Sequence, residues 1–322
     1  MTEPTYKLPA EWEAHAACWL AWPSDPALWL DDLAPAREAV AAMCRAVART
    51  GERVELLAPA GEEPDVDARF HDVPFGDVWL RDTGPIFVRD GDGALAAMRF
   101  EWNGWGGKYH FAADDGVGDA IAAIAGAPVQ RHAWILEGGA IEVDGAGALL
   151  TTRQCLLNPN RNPGMLECEV DAALRDAFGA ERVYWLDQGL RNDHTDGHVD
   201  NIARFVASGV AMCMEPTGAD DPNRDVLDAV ARDLAGFGFD VVRIPSPGRV
   251  LDAAGAVMPA SYVNFYIGNG AVIVPIYGQP SDDDALARIQ SAFPSREVVG
   301  IDARGLLRGG GAFHCISREQ PA

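Results

Sequence analysis

Five residues of this chain are of types that can attack, move a proton or hold a cation. They are Asp82 in "WLRDTGPIFV", Glu137 in "ILEGGAIEV", His198 and Asp200 in "DGHVDNIARFV", and Cys315 in "GGGAFHCIS". A thiol is intrinsically nucleophilic but needs a cationic neighbour to ionise at neutral pH. An imidazole such as His198 can serve as acid and base. Three carboxylates around a thiol oppose its ionisation while the site is empty, and a cation bound between them reverses that effect. The set suits a planar cation better than a neutral amide. A guanidinium presents five N–H donors in a fixed fork that carboxylates match in pairs. Trp79, just ahead of Asp82, offers a face on which such a cation stacks. Glycine triplets are costly to order and are kept where the chain turns sharply or something comes close. Gly310 and Gly311, in the run 309–311, are therefore expected to line the approach to Cys315.

Each of these residues has a plainer reading. Cys315 in its strand-like stretch can be a small buried hydrophobe, and His198 a structural hydrogen-bonding residue. Asp82 can form a local pair with Arg81, and Glu137 can be a turn residue. Their matched placement in a repeated layout separates the two readings. Four stretches read as strand, glycine turn, strand: 86–100, 140–152, 202–216 and 263–275. Their DG, SG and NG turns between β-branched and aromatic runs are hairpin signals. A second series of short buried strands alternates with them, at 53–59, 128–135, 182–188, 240–247 and 297–303. Helical patterns precede these at 34–50, 116–127, 169–180, 222–238 and 281–293. The candidate residues fall just before, or at the start of, a hairpin strand. The layout predicts one domain over 1–322, an α/β assembly of five repeats. The N-terminal segment completes the last pass and closes a ring, and equivalent positions converge near its axis. An ordinary mixed α/β sheet is the alternative.

Composition narrows the partners. The net charge is −22, which repels phosphate backbones and attracts small cations, so nucleic acid is not expected. No apolar run of the length needed to span a bilayer occurs, and the start "MTEPTYKLPAEW" shows no export signal, so a membrane is not expected either. The six cysteines, Cys18, Cys44, Cys155, Cys168, Cys213 and Cys315, form no CxxC or zinc-like spacing and read as reduced thiols of a cytoplasmic protein.

Long ordered motifs from about Glu11 to Ser317 resemble the agmatine deiminases, which belong with the bacterial-type peptidylarginine deiminases in the guanidine-modifying superfamily. They are "EWEAHAACWLAWP", "WLRDTGPIFV", "NGWGGKY", "ILEGGAIEVDGAGALLTTRQCLLNPNRNP", "DGHVDNIARF", "SYVNFYIGNG" and "GGGAFHCIS". The resemblance implies a five-bladed α/β propeller (pentein-like) with the site on its axis and neither metal nor organic cofactor. It implies Cys315 as nucleophile, His198 as general acid and base, and Glu137, Asp82 and Asp200 as the guanidinium clamp, with Trp79 a pocket wall. It implies hydrolysis of agmatine to N-carbamoylputrescine and ammonia. Relatives assemble as dimers or larger, so a homo-oligomer is expected. Two stretches depart from the pattern. Ala312 and Phe313 stand where the family has an asparagine and an aliphatic residue. Asn192, Asp193 and His194 occupy a loop that is often more acidic and helps recognise the far amine, which leaves Asp193 and Asp196 as the acids for that amine.

Three alternatives compete. Peptidyl-arginine or free arginine is a second guanidino substrate, free arginine requiring a cation such as Arg153, Arg161 or Arg191 for its carboxylate. A metallohydrolase would use His194, Asp196, His198 and Asp200, with histidines four apart as on some zinc helices, although Gly197 argues for a loop. A non-catalytic propeller would be a binding module.

Overall fold

The computed structural model of the chain describes residues 6–30 and 32–322. Residues 1–5, the beginning of the stretch read for an export signal, lie outside the described residues. The glycine turns fold the predicted strands back on themselves, and the helices then carry the chain to a parallel neighbour. β1 (His15–Ala21) leads through α1 (Ala34–Arg49) to β2 (Val54–Leu57), with the short β3 (Arg69–His71) beyond it. β4 (Ile86–Arg89) and β5 (Leu95–Glu101) form the next hairpin, and α2 (Asp114–Ala125) returns the chain to β6 (Val129–Ile135). The third unit is β7 (Glu142–Val143), β8 (Ala148–Thr152), α3 (Glu167–Phe178) and β9 (Arg182–Leu186). The fourth is β10 (Ala203–Ala207), β11 (Val210–Glu215), α4 (Arg224–Phe237) and β12 (Asp240–Pro245). The fifth is β13 (Tyr266–Ile267), β14 (Ala271–Ile276), α5 (Asp282–Ala292) and β15 (Glu297–Asp302), and β16 (Arg318–Pro321) ends the chain.

The pairing rule is the same each time. Hairpin partners are antiparallel, and the second hairpin strand pairs in parallel with the strand beyond the helix. A parallel neighbour requires a crossover of this kind. The last strand, β16, has no consecutive partner and pairs instead with β1, antiparallel, while β1 pairs in parallel with β2. The two ends of the chain thus build one sheet on the same plan. The described strands form five sheets, one of four strands and four of three. The fold is mixed α/β.

The helices present one apolar stripe to these sheets. Leu227, Val230 and Leu234 of α4 are buried, as are Val170, Leu174 and Phe178 of α3. The first turn of α5 carries Asp282, Asp283 and Asp284, which favour the positive end of the helix dipole. Apolar side chains gather into two buried clusters, a larger one that includes α1, β1, β11 and β14 and a smaller one joining α3 to β4, β5 and β8.

A polar network ties the sheets together. Glu11 Oε2 accepts from Arg204 at 2.7 Å and lies 2.8 Å from His314 Nε2, while its Oε1 accepts from the Ile267 backbone at 2.7 Å. Arg204 also donates to Glu142 at 2.8 Å and to the Phe265 carbonyl at 2.6 Å. Arg81 reaches Glu319 at 2.6 Å and stands 3.6 Å from Glu11. The network therefore takes residues from the neighbourhood of every hairpin. Burial alone would raise the Glu11 carboxyl, but Arg204, His314 and Arg81 overcome it and hold the group well below its ordinary range. The stability that Glu11 contributes is thus present at neutral pH and lost in acid. Glu11→Ala leaves buried cations without their partner, and urea unfolding at pH 7 is expected to show a loss of about 3–5 kcal/mol. The difference from the parent protein narrows as the pH falls below about 4.3, the ordinary glutamate value.

Candidate active site

The candidate residues come from turns that each lead into a sheet. Asp82 lies in the single helical turn Leu80–Thr83 ahead of β4. Glu137 precedes the turn Gly138–Ala140 ahead of β7. His198 and Asp200 lie at the turn Val199–Asn201 ahead of β10. Cys315 precedes β16, but in a turn and not in the strand-like stretch its sequence suggests. The Ile316 amide reaches back to Ala312 at 3.2 Å and the Ser317 amide to His314 at 3.1 Å, which holds the chain coiled until Arg318.

The five are drawn together. Cys315 Sγ is 3.8 Å from Asp200 Oδ2, and His198 Nδ1 is 3.9 Å from Asp82 Oδ1. Asp82 is fixed by the Gly139 amide at 2.9 Å and by the Trp105 indole N–H at 2.8 Å. A Cβ on Gly139 would stand 2.6 Å from His198 Nδ1 and 3.0 Å from Asp200 Oδ2, so only glycine permits this approach. Asp200 Oδ2 also lies 2.7 Å from His314 Nδ1. Glu137 is fully buried and its Oε1 accepts from Arg161 Nε at 2.6 Å, leaving Oε2 without a partner among the described residues.

The sequence reading did not single out Asn264. Its Nδ2 donates to Cys315 Sγ at 3.2 Å and to the Asn201 side chain at 3.0 Å. The signal was available, because Asn264 stands two residues ahead of β13, where the other candidates stand in their own repeats. His314 and Trp105 were missed for a different reason, and Arg161, expected as a partner for a substrate carboxylate, holds Glu137 instead. All three lie inside recognised stretches, and only the tertiary fold turns them onto Asp200, Asp82 and Glu137.

A cavity of about 290 Å³ opens onto this cluster, and its lining includes Trp79, Asp82, Trp105, Tyr109, His194 and Cys315. Gly310 and Gly311 line it as well. The close approach that requires glycine there comes from a side chain: a Cβ on Gly311 would stand 2.6 Å from the Trp79 ring and 3.1 Å from Cys315 Sγ. Glu137, His198 and Asp200 are buried behind these residues and are not part of the lining.

The acids expected near a distal amine are otherwise engaged. Asp193 accepts from the Thr195 amide at 2.9 Å, the Thr195 hydroxyl at 2.6 Å and Asn201 at 3.2 Å. Asp196 accepts from Lys108 at 2.6 Å, Asn160 at 2.9 Å and Arg161 at 2.7 Å. Neither lines the cavity. Arg153 pairs with Glu167 and Asp187, and neither it, Arg161 nor Arg191 reaches the cavity lining.

The metal set suggested by "HTDGHVD" does not assemble. His194 is exposed at the cavity while His198 is buried, and the segment is a turn, not a helix. Among the described residues, the one cluster with metal-ligand spacing is Glu137, Cys155 and His198, whose donor atoms lie within 4.8 Å of one another. Its glutamate already holds Arg161.

Burial and charge set the protonation of the site. Burial pushes the Cys315 thiol well above its usual value, and the charges of Asp200 and Asp82 push it further. Burial alone would lower His198, but the charge of Asp82 and the Cys155 thiol against its ring outweigh that and hold it well above the ordinary histidine value. Burial also raises Glu137, against the pull of Arg161, whereas His314 overrides burial at Asp200 and keeps that carboxyl low. Burial and these carboxylates thus favour the protonated thiol, and a cation bound beside it would favour the thiolate.

Fold and site together define a class: a mixed α/β protein with a cysteine and an aspartate at a cavity and a histidine and further carboxylates buried directly behind them. The chain belongs to the Porphyromonas-type peptidyl-arginine deiminase family, which it matches over residues 7–321. It is 38% identical to the agmatine deiminases of Stutzerimonas stutzeri (strain A1501) and Pseudomonas aeruginosa (strain LESB58), over 98% of this chain and 96% of each relative. Among solved structures it resembles the agmatine deiminase of Enterococcus faecalis, with a TM-score of 0.92 at 29% identity over 98% of this chain and 96% of the other. A substrate-bound cysteine-to-serine variant of the C. jejuni agmatine deiminase gives 0.94 at 28% identity over 100% and 98%. A P. aeruginosa protein described as DDAH shares the fold alone, with a TM-score of 0.54 at 14% identity over 95% of this chain and 99% of the other.

The protonation argument is open to measurement. Peptide-resolved iodoacetamide labelling separates Cys315 from the exposed Cys168. The rate at Cys315 is expected to keep rising with pH beyond about 8.5, where an ordinary cysteine levels off. Asp200→Asn removes a charge that opposes the thiolate, so its profile is expected to move to lower pH. An unchanged profile would show that the Asp200 charge does not raise the thiol, leaving burial and Asp82.

Proposed function

We propose that this chain is an agmatine deiminase, hydrolysing agmatine to N-carbamoylputrescine and ammonia. The observation that carries the reading is the Cys315 thiol sharing one cavity with Asp82, with His198 and Asp200 directly behind them. The agmatine deiminases at 38% identity over nearly the whole chain supply the substrate.

In this reading the guanidinium enters beside Asp82 and Asp200, and its charge lowers the thiol pKa that those carboxylates had raised. The Cys315 thiolate attacks the guanidinium carbon. A terminal C–N bond breaks as His198 passes its proton to the departing ammonia, and a thiouronium remains on Cys315. His198 then takes a proton from water. The hydroxide adds to the same carbon, the C–S bond breaks, and the ureido product leaves with the thiolate regenerated. Asn264, donating to Sγ, steadies the negative sulfur. Glu137 is locked to Arg161, so its part is to hold charge beside His198 and complete the clamp from behind the cavity.

The same reading takes the five sheets as blades of one closed α/β propeller over residues 1–322, with the site on its axis. The recurring pairing plan and a network that draws on every hairpin support it. The enzyme would need no cofactor and work in the cytoplasm as a homo-oligomer on a small cationic substrate, in keeping with six free cysteines.

Ammonia release from purified protein tests the reading. Agmatine is expected to be turned over, and Cys315→Ala to lose at least about a thousandfold in kcat, since the covalent route goes with the nucleophile. Acid quenching during turnover is expected to trap a mass adduct on the Cys315 peptide alone. No ammonia from agmatine, with the Cys315 thiol shown to be free, would sink the proposal.

A further inference from the structure

One carboxylate of the cavity lining stands without a cation. The two acids of that lining are Asp82, at the reactive end, and Asp77. Asp77 Oδ1 accepts from the Val78 amide at 2.8 Å and the Trp29 indole at 3.3 Å. Its Oδ2 accepts from the Trp79 indole at 2.8 Å. These donors are neutral, and a carboxylate has about four lone-pair positions, so Oδ2 keeps room for one more. No cationic side chain among the described residues pairs with it. Arg308, which lines the same cavity, stands instead 3.7 Å from Asp32.

A second acid stands behind the first. Asp114, at the start of α2, is buried. Its Oδ1 accepts from the Gly76 amide at 2.8 Å, and its Oδ2 has no partner among the described residues. Burial, with the charge of Asp114 added, pushes the Asp77 carboxyl up to about 6 against its three donors. Burial takes Asp114 to about 6 as well, with Asp115 adding to the rise and His110 opposing it. Both are mostly ionised at pH 7. Two like charges thus share one corner without a counter-ion, and a cation placed there relieves both.

Trp79 measures the distance from this corner to the thiol. Its Nε1 edge is bound to Asp77. The far edge of its six-membered ring would stand 2.6 Å from a Cβ on Gly311, which would itself be 3.1 Å from Cys315 Sγ. The indole is about 4 Å from Nε1 to that far edge by ordinary bond lengths. A chain about 7 Å long laid along it reaches from the thiol to the carboxylate, and agmatine spans that length between guanidinium carbon and amine nitrogen. The aromatic rings of Trp79, Trp105, Tyr109 and Phe111 wall the cavity and suit both methylenes and a cation.

We infer that Asp77, backed by Asp114, is the counter-charge for the distal ammonium group, and that it makes this enzyme select guanidines with a cationic tail. The loop acids Asp193 and Asp196 take no part, being held by their own partners outside the lining. The inference rests on the proposed deiminase reading, with the guanidinium at the Asp82–Cys315 end. The reaction itself is unchanged, since Asp77 meets the tail and not the reacting carbon.

The experiment compares kcat/KM for agmatine and for n-butylguanidine, which has the same chain without the amine. The proteins are the parent enzyme, Asp77→Asn, Asp193→Asn and Asp196→Asn. The parent enzyme is expected to prefer agmatine by about tenfold or more, as one charge-assisted contact allows. In Asp77→Asn that preference is expected to fall about tenfold, mainly through KM for agmatine, and the loop variants should keep it. A disturbed Trp79 wall would slow both substrates and leave the ratio alone. Calorimetry on Cys315→Ala gives a readout with Asp77 intact. Near pH 6, agmatine binding is expected to release more protons than butylguanidine binding, because the ammonium holds the acid pair ionised. No preference in the parent enzyme, a preference that Asp77→Asn leaves intact, or equal proton release by the two ligands would overturn this inference and leave the deiminase reading standing. A preference lost in Asp193→Asn or Asp196→Asn instead would move the amine to the loop and overturn it too. Tighter binding of agmatine than of butylguanidine to Cys315→Ala, with no ammonia from either guanidine in the parent enzyme, would keep the subsite and fail the deiminase reading.

Discussion

Glu11 meets Arg204, His314 and the Ile267 amide at once, with Arg81 close by, and the rest of the structure depends on that junction. Apolar packing holds each helix to its sheet, but it does not say how five similar sheets stand relative to one another. Hydrogen bonds between buried charges are directional, and an unmatched buried charge is expensive. An arrangement that joins Glu11, Glu142 and Glu319 to Arg81 and Arg204 fixes the relative placement of turns that come from distant parts of the chain. Buried ion pairs add little net stability compared with an apolar core. Here they add geometry, and the reactive groups use that geometry.

The link between network and site is physical contact. His314 lies between Glu11 on one nitrogen and Asp200 on the other, and Cys315 is the next residue. The Arg81 amide is bound to the Cys315 carbonyl at 3.1 Å, and Asp82 is the residue after Arg81. The thiol and the carboxylate that share the cavity are thus carried by immediate neighbours of the buried network. The low dielectric that makes the network costly also separates the protonation states within the site. It raises Cys315 and Glu137, while Asp200, held by His314, stays low.

The cavity differs along its length. Near Cys315 it is negative and backed by an imidazole. Elsewhere its lining is largely aromatic, with Asp77, His194 and Arg308 as its other polar side chains of note. Asp77 is the acid in that part of the lining, while Asp193 and Asp196 stand outside it, bound to Thr195, Asn160, Arg161 and Lys108.

Much of this is legible in the sequence. Glycine turns between β-branched runs fixed the four hairpins, and the helical stripes fixed the five helices, because both signals are local and periodic. The candidate residues were visible because each stands just ahead of a hairpin strand, so repetition compensated for weak individual motifs. Asn264 obeyed the same rule, but an asparagine before a strand looks like ordinary turn chemistry until it is found on Sγ. The pairing of β16 with β1 follows from the plan of repeats, whereas the turn at Cys315 does not, because it is made by contacts between neighbouring turns. Which acids are free and which are spent was also beyond the sequence. Glu137 on Arg161, Asp196 on Lys108 and Arg308 at the cavity are decided by distances of a few ångströms between residues far apart in the chain. The sequence determined the reactive groups and the repeated frame that carries them. The tertiary structure decided their partners, their protonation and what the open end of the cavity can recognise, because those depend on burial and on charges brought close only by folding.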